Sequence, residues 1–285
     1  MTIIDAIYER GQFFVPLSLN GSAPHHFIVD TGAGVSAVDA ALAGELALPI
    51  IAHTELAGTA GVLDVNQVRI ARIAPLRRGR RVDELSLYGL MPTTQDLSHF
   101  EVPVPNAREA GLLGNDYLEG FVVHMQFAPA LLEIARPTGY VPAGVDPQRF
   151  VPFVLDEHNI VRVQGTLDGW MTVDLRFDTG AGTMTVPSPY VNITTAMWRA
   201  LCDRQPAYAI TDRVTAKGIG GELTLEIGAI ESLDIGCLHF DRPRVVVQPP
   251  VGLFGSPDAP GFIALNLLEP NGWATFDYPN GRIYL

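Results

Sequence analysis

Phe27-Ile28-Val29-Asp30-Thr31-Gly32-Ala33-Gly34 closes an apolar run with an acid and a string of turn-forming residues. The same ending returns at Leu175-Arg176-Phe177-Asp178-Thr179-Gly180-Ala181-Gly182. A single Asp before small residues commonly caps its own turn and says little. Two identical five-residue copies, each at the end of an apolar run, imply more. They point to two matched acids, delivered by two matched half-domains to one shared site.

The repeat extends outward from these loops. Val15-Pro16-Leu17-Ser18-Leu19-Asn20-Gly21 aligns without a gap on Val163-Gln164-Gly165-Thr166-Leu167-Asp168-Gly169, at the offset that separates Asp30 from Asp178. Asn20-Gly21 and Asp168-Gly169 predict type I′ hairpin turns between alternating apolar strands. Each half therefore begins with a hairpin whose second strand ends in the acid loop. A short helix is predicted after each loop, over 38–46 in the first half and about 194–202 in the second, where Thr194 or Thr195 serves as N-cap. Next come Gly58-Thr59-Ala60-Gly61 and Gly218-Ile219-Gly220-Gly221, each flanked by strand-like sequence (62–73 and 223–235) and so predicted to tip a hairpin. Arg81-Val82-Asp83-Glu84-Leu85 is matched by His239-Phe240-Asp241-Arg242-Pro243. Leu112-Leu113-Gly114-Asn115-Asp116-Tyr117-Leu118 is matched by Phe262-Ile263-Ala264-Leu265-Asn266-Leu267-Leu268. Each of the latter pair leads to a closing hairpin, over 127–134 and 276–283. The Pro/Gly stretch 137–144 reads as a linker, which predicts domains at 1–140 and 141–285, a tandem duplication.

Composition agrees with a β-rich, well-filled protein. Apolar residues make up 47% of the 285 and charged residues 18%, too apolar for disorder, and the 28 Gly and 22 Pro are spread along the chain. The net charge of −12 speaks against nucleic acid as a partner. The run Arg77-Arg78-Gly79-Arg80-Arg81 reads as a solvated loop or strand edge, where charge discourages edge-to-edge pairing. No stretch approaches the ~18 apolar residues of a membrane-spanning helix. The chain opens on Thr2-Ile3-Ile4-Asp5 without a secretory leader, which fits a cytoplasmic protein, or a periplasmic or secreted one whose leader has been removed. Cys202 and Cys237 show no metal-ligand or redox spacing, and spacing alone does not decide whether they pair. His25-His26 has no counterpart in the second half and too few neighbouring ligands for a metal, while His124 and His239 are isolated. No metal or cofactor is expected. The sequons at Asn20 and Asn192 are frequent by chance, and Trp170, Trp198 and Trp273 read as core or lobe-interface anchors.

If the halves pack about a pseudo-twofold axis, equivalent residues near the axis meet their own copies. Asp30 and Asp178 are the equivalent acids on sharp Gly-containing loops. Two carboxyl groups a few ångströms apart cannot both ionise, so they share a proton and titrate in two steps. The ionised member can take a proton from a water between them, and the protonated member can donate to a carbonyl oxygen. Gly32 and Gly180 let each backbone pass close to the partner loop. Thr31 and Thr179 are placed to send hydroxyls across the axis and lock the loops together.

These residues resemble the aspartic peptidases with the Asp-Thr-Gly signature, and the resemblance covers both halves. Shared-proton chemistry is the known behaviour of that family and not a derivation from this chain. In each half the acid loop is followed about 85 residues later by an apolar-apolar-Gly element, here Leu112-Leu113-Gly114, which in the family threads behind the active loop. Ala33 and Ala181, and flap candidates in both halves without a Tyr, are similar to the retroviral branch more than to pepsin. The chain looks like a fused, single-chain retropepsin-like protein of a bacterial type. The resemblance implies an all-β, bilobal fold of two barrel-like lobes and aspartic endopeptidase activity with Asp30 and Asp178 catalytic. An extended peptide or protein substrate would add as a strand beneath mobile flaps at Gly58, Thr59, Ala60, Gly61, Gly218, Ile219, Gly220 and Gly221. Because both half-sites lie in one chain, a monomer suffices.

Two departures stand out. Ala264 occupies a position where the family has Gly, and Gly34 and Gly182 replace the usual Ser, Asp or Thr. They motivate the rival reading, a weakly active or inactive peptide-binding scaffold that keeps the fold. A two-carboxylate glycosidase fits poorly, since nothing in that chemistry requires identical loops on duplicated halves.

Overall fold

The computed structural model describes residues 1–98, 100, 102–104, 109–137, 146, 148–182 and 190–285. Most of the expected linker, residues 138–144, lies outside the described residues, and so does the proposed boundary at 140/141. The duplication is visible in the strand order of two large sheets. In the first, Leu87–Leu90, Ile70–Arg77, Gln12–Leu19, His25–Val29, Gly111–Leu113, Ala37–Asp39, Thr93–Gln95, Val62–Val68 and Ile50–Ala57 lie side by side. In the second the order is Leu238–Asp241, Ser232–Ile235, Val161–Leu167, Met171–Asp178, Gly261–Ala264, Tyr190–Thr194, Arg244–Gln248, Gly221–Ala229 and Asp212–Gly218. The two orders correspond strand for strand, but the place of Leu238–Asp241 is taken in the first sheet by Leu87–Leu90 and not by the expected match 81–85, where Asp83–Leu85 forms a 3-10 turn. The molecule is all-β and bilobal, but among the described residues each large sheet is an open path of strands and not a closed barrel.

The turn chemistry accounts for the hairpins that feed the acid loops. Asn20 and Gly21 have φ of 53° and 87°, and Asp168 and Gly169 have 51° and 66°. Both positions of each turn are thus left-handed, as a type I′ turn requires. The predicted helices form at Ala40–Glu45 and Thr195–Arg204, shifted by a residue or two. Asp39 Oδ1 accepts from Leu42 N at 3.1 Å, and Thr194 Oγ1 accepts from Met197 N at 3.2 Å, so each helix start has a side-chain cap. The strands predicted over 62–73 and 223–235 are each broken once, at Arg69 and at 230–231. The arginine run is a hairpin at a sheet edge whose turn amides, Arg78 N and Gly79 N, donate to Asp5 at 2.8 and 2.9 Å.

A third sheet joins the lobes. Its order is Thr2–Ile4, Leu131–Ala135, Val122–Gln126, Trp273–Asp277, Arg282–Tyr284 and Phe150–Pro152, so each half contributes three strands. The central antiparallel pair places His124 opposite Thr275, with Nδ1 2.8 Å from Oγ1. Phe276 of this sheet packs edge-on against Phe177 at 5.2 Å, which brings the strand leading to Asp178 onto the shared floor. Such aromatic pairs contribute about 0.5–1.5 kcal/mol beyond the area they bury. One continuous apolar core runs through both lobes and this sheet. Trp198 sits in that core, whereas Trp170 is exposed beneath Arg204 and is no lobe anchor. Cys202 and Cys237 are both free thiols.

Candidate active site

The strands His25–Val29 and Met171–Asp178 bring Asp30 and Asp178 together at the junction of the lobes. An ideal Cβ on Gly32 would lie 2.7 Å from Asp178 Oδ1, and one on Gly180 would lie 2.5 Å from either carboxylate oxygen of Asp30. Each glycine therefore makes room for the opposite acid, and no larger residue fits at either place. Asp30 Oδ1 accepts from Gly32 N at 2.8 Å, and Asp178 Oδ1 accepts from Ala181 N at 2.8 Å. The two carboxyl groups also hydrogen-bond to one another.

Burial and the neighbouring Asp178 charge push the Asp30 carboxyl well above the ordinary carboxylate range, against the amide of Gly32, which favours its ionised form. Burial raises Asp178 too, but the amides of Ala181 and Gly180 and the hydrogen bond from Asp30 act the other way. Both carboxyls are thus raised, and the pair holds a proton between them.

Thr31 and Thr179 make the lock that the symmetry predicts. Thr31 N donates to Thr179 Oγ1 at 3.0 Å, and Thr179 N donates to Thr31 Oγ1 at 3.1 Å. The hydroxyls then donate onward across the axis, Thr31 Oγ1 to Phe177 O at 2.5 Å and Thr179 Oγ1 to Val29 O at 2.7 Å. Both threonines are buried. Ala33 and Ala181 follow with methyl side chains, so no side-chain hydroxyl at this position reaches the outer carboxylate oxygens.

The predicted flap segments lie at hairpin tips. Gly58–Gly61 joins Ile50–Ala57 to Val62–Val68, and Ile219–Gly220 joins Asp212–Gly218 to Gly221–Ala229. The tips touch: Ala60 N donates to Ile219 O at 2.9 Å, and a Cβ on Gly58 would lie 2.7 Å from the Ile219 carbonyl carbon. A third segment joins them. Leu253 N donates to Gly58 O at 2.9 Å, from a turn begun by Gly252 at φ 51°. Beside the tips a cavity of about 470 Å³ is lined by Leu63, Gln95, Asp96 and residues 217–222.

Residues 15–117 match a family described as aspartyl protease. The matched segment contains the first acid loop and ends within the small helix after Gly114. It supports aspartic-type peptidase activity in general, that is, a hydrolase acting on peptides. The solved structure of edgp superposes with a TM-score of 0.50 at 10% identity, covering 99% of this chain and 93% of that one. That likeness concerns the fold alone. Basic 7S globulin from soybean gives 0.48 at 10% identity over 99% and 93% of the two chains. A search of curated proteins finds no match.

Several residues at the site have no role in the sequence reading. Asn115 is fully buried behind the first loop, where its Nδ2 donates to Thr31 O at 2.7 Å and to Asn159 O at 2.9 Å. Its Oδ1 accepts from Tyr278 Oη at 2.6 Å, and burial followed by the Asp30 charge pushes that phenol well up. Ser36 links the loop to Gly114 N at 2.9 Å and to Asp116 at 2.5 Å. Glu109 is buried near Asp39, one carboxylate oxygen without a partner, its pKa pushed up to about 8 by burial and then by Asp39. Position in the quoted motif marked Asn115. Tyr278 and Glu109 had no local signal, because their partners are distant in sequence.

At Ala264 the Cβ packs in an apolar cluster with Tyr190, Leu225, Ile227 and Val246, with Ala181 against it. The equivalent Gly114 has no such space: a Cβ there would lie 2.6 Å from Ala33 O and 2.9 Å from Ser36 N. The difference between the lobes is thus where the loop after the acid folds back. Among the described residues, no helix is long and apolar enough to cross a membrane, and no cluster of three or more His, Cys, Asp or Glu side chains is placed to hold a metal.

Proposed function

We propose that the protein is a single-chain aspartic endopeptidase in which Asp30 and Asp178 hydrolyse a peptide bond through one activated water. The observation that carries this reading is the hydrogen-bonded pair of acids, each set against the other loop's glycine. Asp178, the ionised member of the pair in this reading, takes a proton from the water, whose oxygen attacks the carbonyl carbon. Asp30 gives its proton to the carbonyl oxygen. Collapse of the tetrahedral intermediate breaks the C–N bond as a proton passes to the leaving nitrogen. No covalent intermediate is required. The Thr31–Thr179 lock holds the two acids in one geometry, so little reorganisation accompanies the proton transfers.

The substrate is an extended peptide lying beneath the hairpin tips, with Gly58, Thr59, Ala60, Gly61, Gly218, Ile219, Gly220 and Gly221 closing over it. The paired first and second half-sites make a monomer sufficient, and the domains correspond to 1–140 and 141–285. Because Ala33 and Ala181 bring no hydroxyl to stabilise the ionised pair, the activity optimum lies at mildly acidic to near-neutral pH. A pH–rate profile peaking in strong acid would contradict that part of the reading.

The test is cleavage of a peptide library by the wild type, with and without a pepstatin-type inhibitor, and by Asp30→Asn and Asp178→Asn. Loss of cleavage in either variant is the expected result. Cleavage that survives both substitutions would falsify the dyad, and peptide binding without cleavage in the wild type would favour the scaffold reading.

A further inference from the structure

A buried ion pair near the second acid has no counterpart in the first half. Arg176 stands two residues before Asp178, where the first half has Ile28 before Asp30. Its Nε donates to Asp156 Oδ2 at 2.9 Å, with the two side chains only 6% and 1% exposed. Arg176 Nη1 is buried without a hydrogen-bond partner. Taking two charges out of water costs several kcal/mol per ion, and apolar residues of similar volume often serve stability as well or better. Ile28 shows that an apolar residue suits this strand position.

What the pair does is fix a turn. Asp156 Oδ1 accepts from His158 N at 2.9 Å and Ile160 N at 3.0 Å, while the backbone closes from Asp156 N to Ile160 O and from Asn159 N to Asp156 O, both 2.9 Å. Burial alone would raise the Asp156 carboxyl, but these amides and Arg176 hold it below the ordinary range. The turn crosses to the other lobe. A Cβ on Gly34 would overlap His158 O, Asn159 Nδ2 donates to Gly34 O at 3.2 Å, and Asn159 O accepts from Asn115, which also holds Thr31 O. A continuous set of contacts thus runs from the strand of Asp178 to the loop of Asp30. The first half sends an equivalent turn the other way: Gln12 Nε2 donates to Gly180 O, and a Cβ on Gly182 would lie 3.0 Å from Gln12 Oε1.

We propose that Arg176 is a positioning residue for Asp30: through Asp156 it holds the 156–160 turn against Gly34 and Asn115, which keeps water from the first acid loop. This rests on the peptidase reading only for its catalytic consequence. The other charged and titratable groups acting on Asp30 are Asp178 and Glu109, with Tyr278 below. The turn's own Glu157 and His158 face solvent, 71% and 57% exposed.

The experiment is a direct titration of the dyad by carbon-13 NMR of labelled aspartate carboxyls, run beside the pH profile of kcat/KM on peptide. Arg176→Gln and Asn159→Gly, the latter tolerating the φ of 61° at that position, are expected to lower the upper titration step by about one pH unit, a tenfold change in proton affinity. The high-pH limb of kcat/KM should move with it, and Arg176→Lys should restore part of the shift. Arg162→Gln removes the more exposed pair with Asp174, 3.3 Å apart between the strands Val161–Leu167 and Met171–Asp178, and should leave the titration unchanged. An unshifted upper step in folded Arg176→Gln overturns the proposal. If that variant does not fold, an unshifted step in Asn159→Gly does so. A wild type that titrates as described but cleaves nothing overturns the peptidase reading and leaves the positioning role standing.

Discussion

The two acid loops carry the same side chains and differ in what stands behind them. Asp, Thr and Gly are duplicated, and so are the cross-axis bonds of Thr31 and Thr179, nearly to the tenth of an ångström. Behind Asp30 stand Gly114, Asn115, Tyr278 and Ser36, a hydrogen-bonded arrangement with no room for a Cβ. Behind Asp178 stand Ala264 in an apolar cluster and the Arg176–Asp156 pair. The comparison teaches that symmetry is held where two loops must fit each other and is relaxed one layer back, where the residues that support the two loops need not be copies of one another.

The largest effect should come from breaking the dyad. Asp30→Asn and Asp178→Asn are each expected to lower peptide cleavage by about a thousandfold or more, since positioned acid–base groups contribute about 10²–10⁴-fold. Assays of both variants at equal folded concentration test whether the halves are equally indispensable.

The second effect sharpens the contrast at the small residue. Gly114→Ala should destabilise by about 1–3 kcal/mol, because its Cβ has backbone at 2.6 Å on one side and 2.9 Å on the other. Ala264→Gly should cost about 1 kcal/mol through lost packing and added backbone freedom. Denaturant unfolding that ranked the two substitutions the other way would undo the account of how the lobes differ.

A third test separates the two acids by stability alone. An acid whose folded pKa is raised binds more protons in the native state than in the unfolded one, so stability falls as pH rises from the unfolded value towards the folded one. Asp30→Asn should therefore raise the unfolding midpoint at pH 7 more than at pH 4. Asp178→Asn should do so less, given the amides that favour its charge. Equal gains would place the shared proton evenly.

The smallest effect concerns the flap contact. Gly252→Ala introduces a Cβ 2.9 Å from Gly61 N at a φ of 51°, and should raise KM by about three- to tenfold with kcat less affected. Amide exchange at residues 58–61 should quicken in parallel.

Much of this was legible in the chain. The acid loops, type I′ turns and hairpin tips announce themselves because each needs particular residues at fixed local spacing. The supports were not, for a physical reason: Asn115 meets Tyr278, and Arg176 meets Asp156, only after folding. The one local sign was an Arg within an apolar strand. The closing hairpins were legible, but their union into one six-stranded sheet was not, because Val122–Gln126 meets Trp273–Asp277 only after folding and the outer strands Thr2–Ile4 and Phe150–Pro152 are too short to show alternation. The barrel-like lobes proved to be open sheets, since closure depends on strand pairings that alternation does not specify.

The interleaving of that sheet has a consequence during synthesis. Val122–Gln126 has Trp273–Asp277 as its neighbour, and Thr31 has its partner in Thr179, so the first half is left with an unfinished edge while the ribosome is still working. Domains fold as they emerge, at roughly 5–20 residues per second, so the wait lasts seconds. During it Asp30 has no second carboxyl beside it, so the paired acids exist only once the second half has folded.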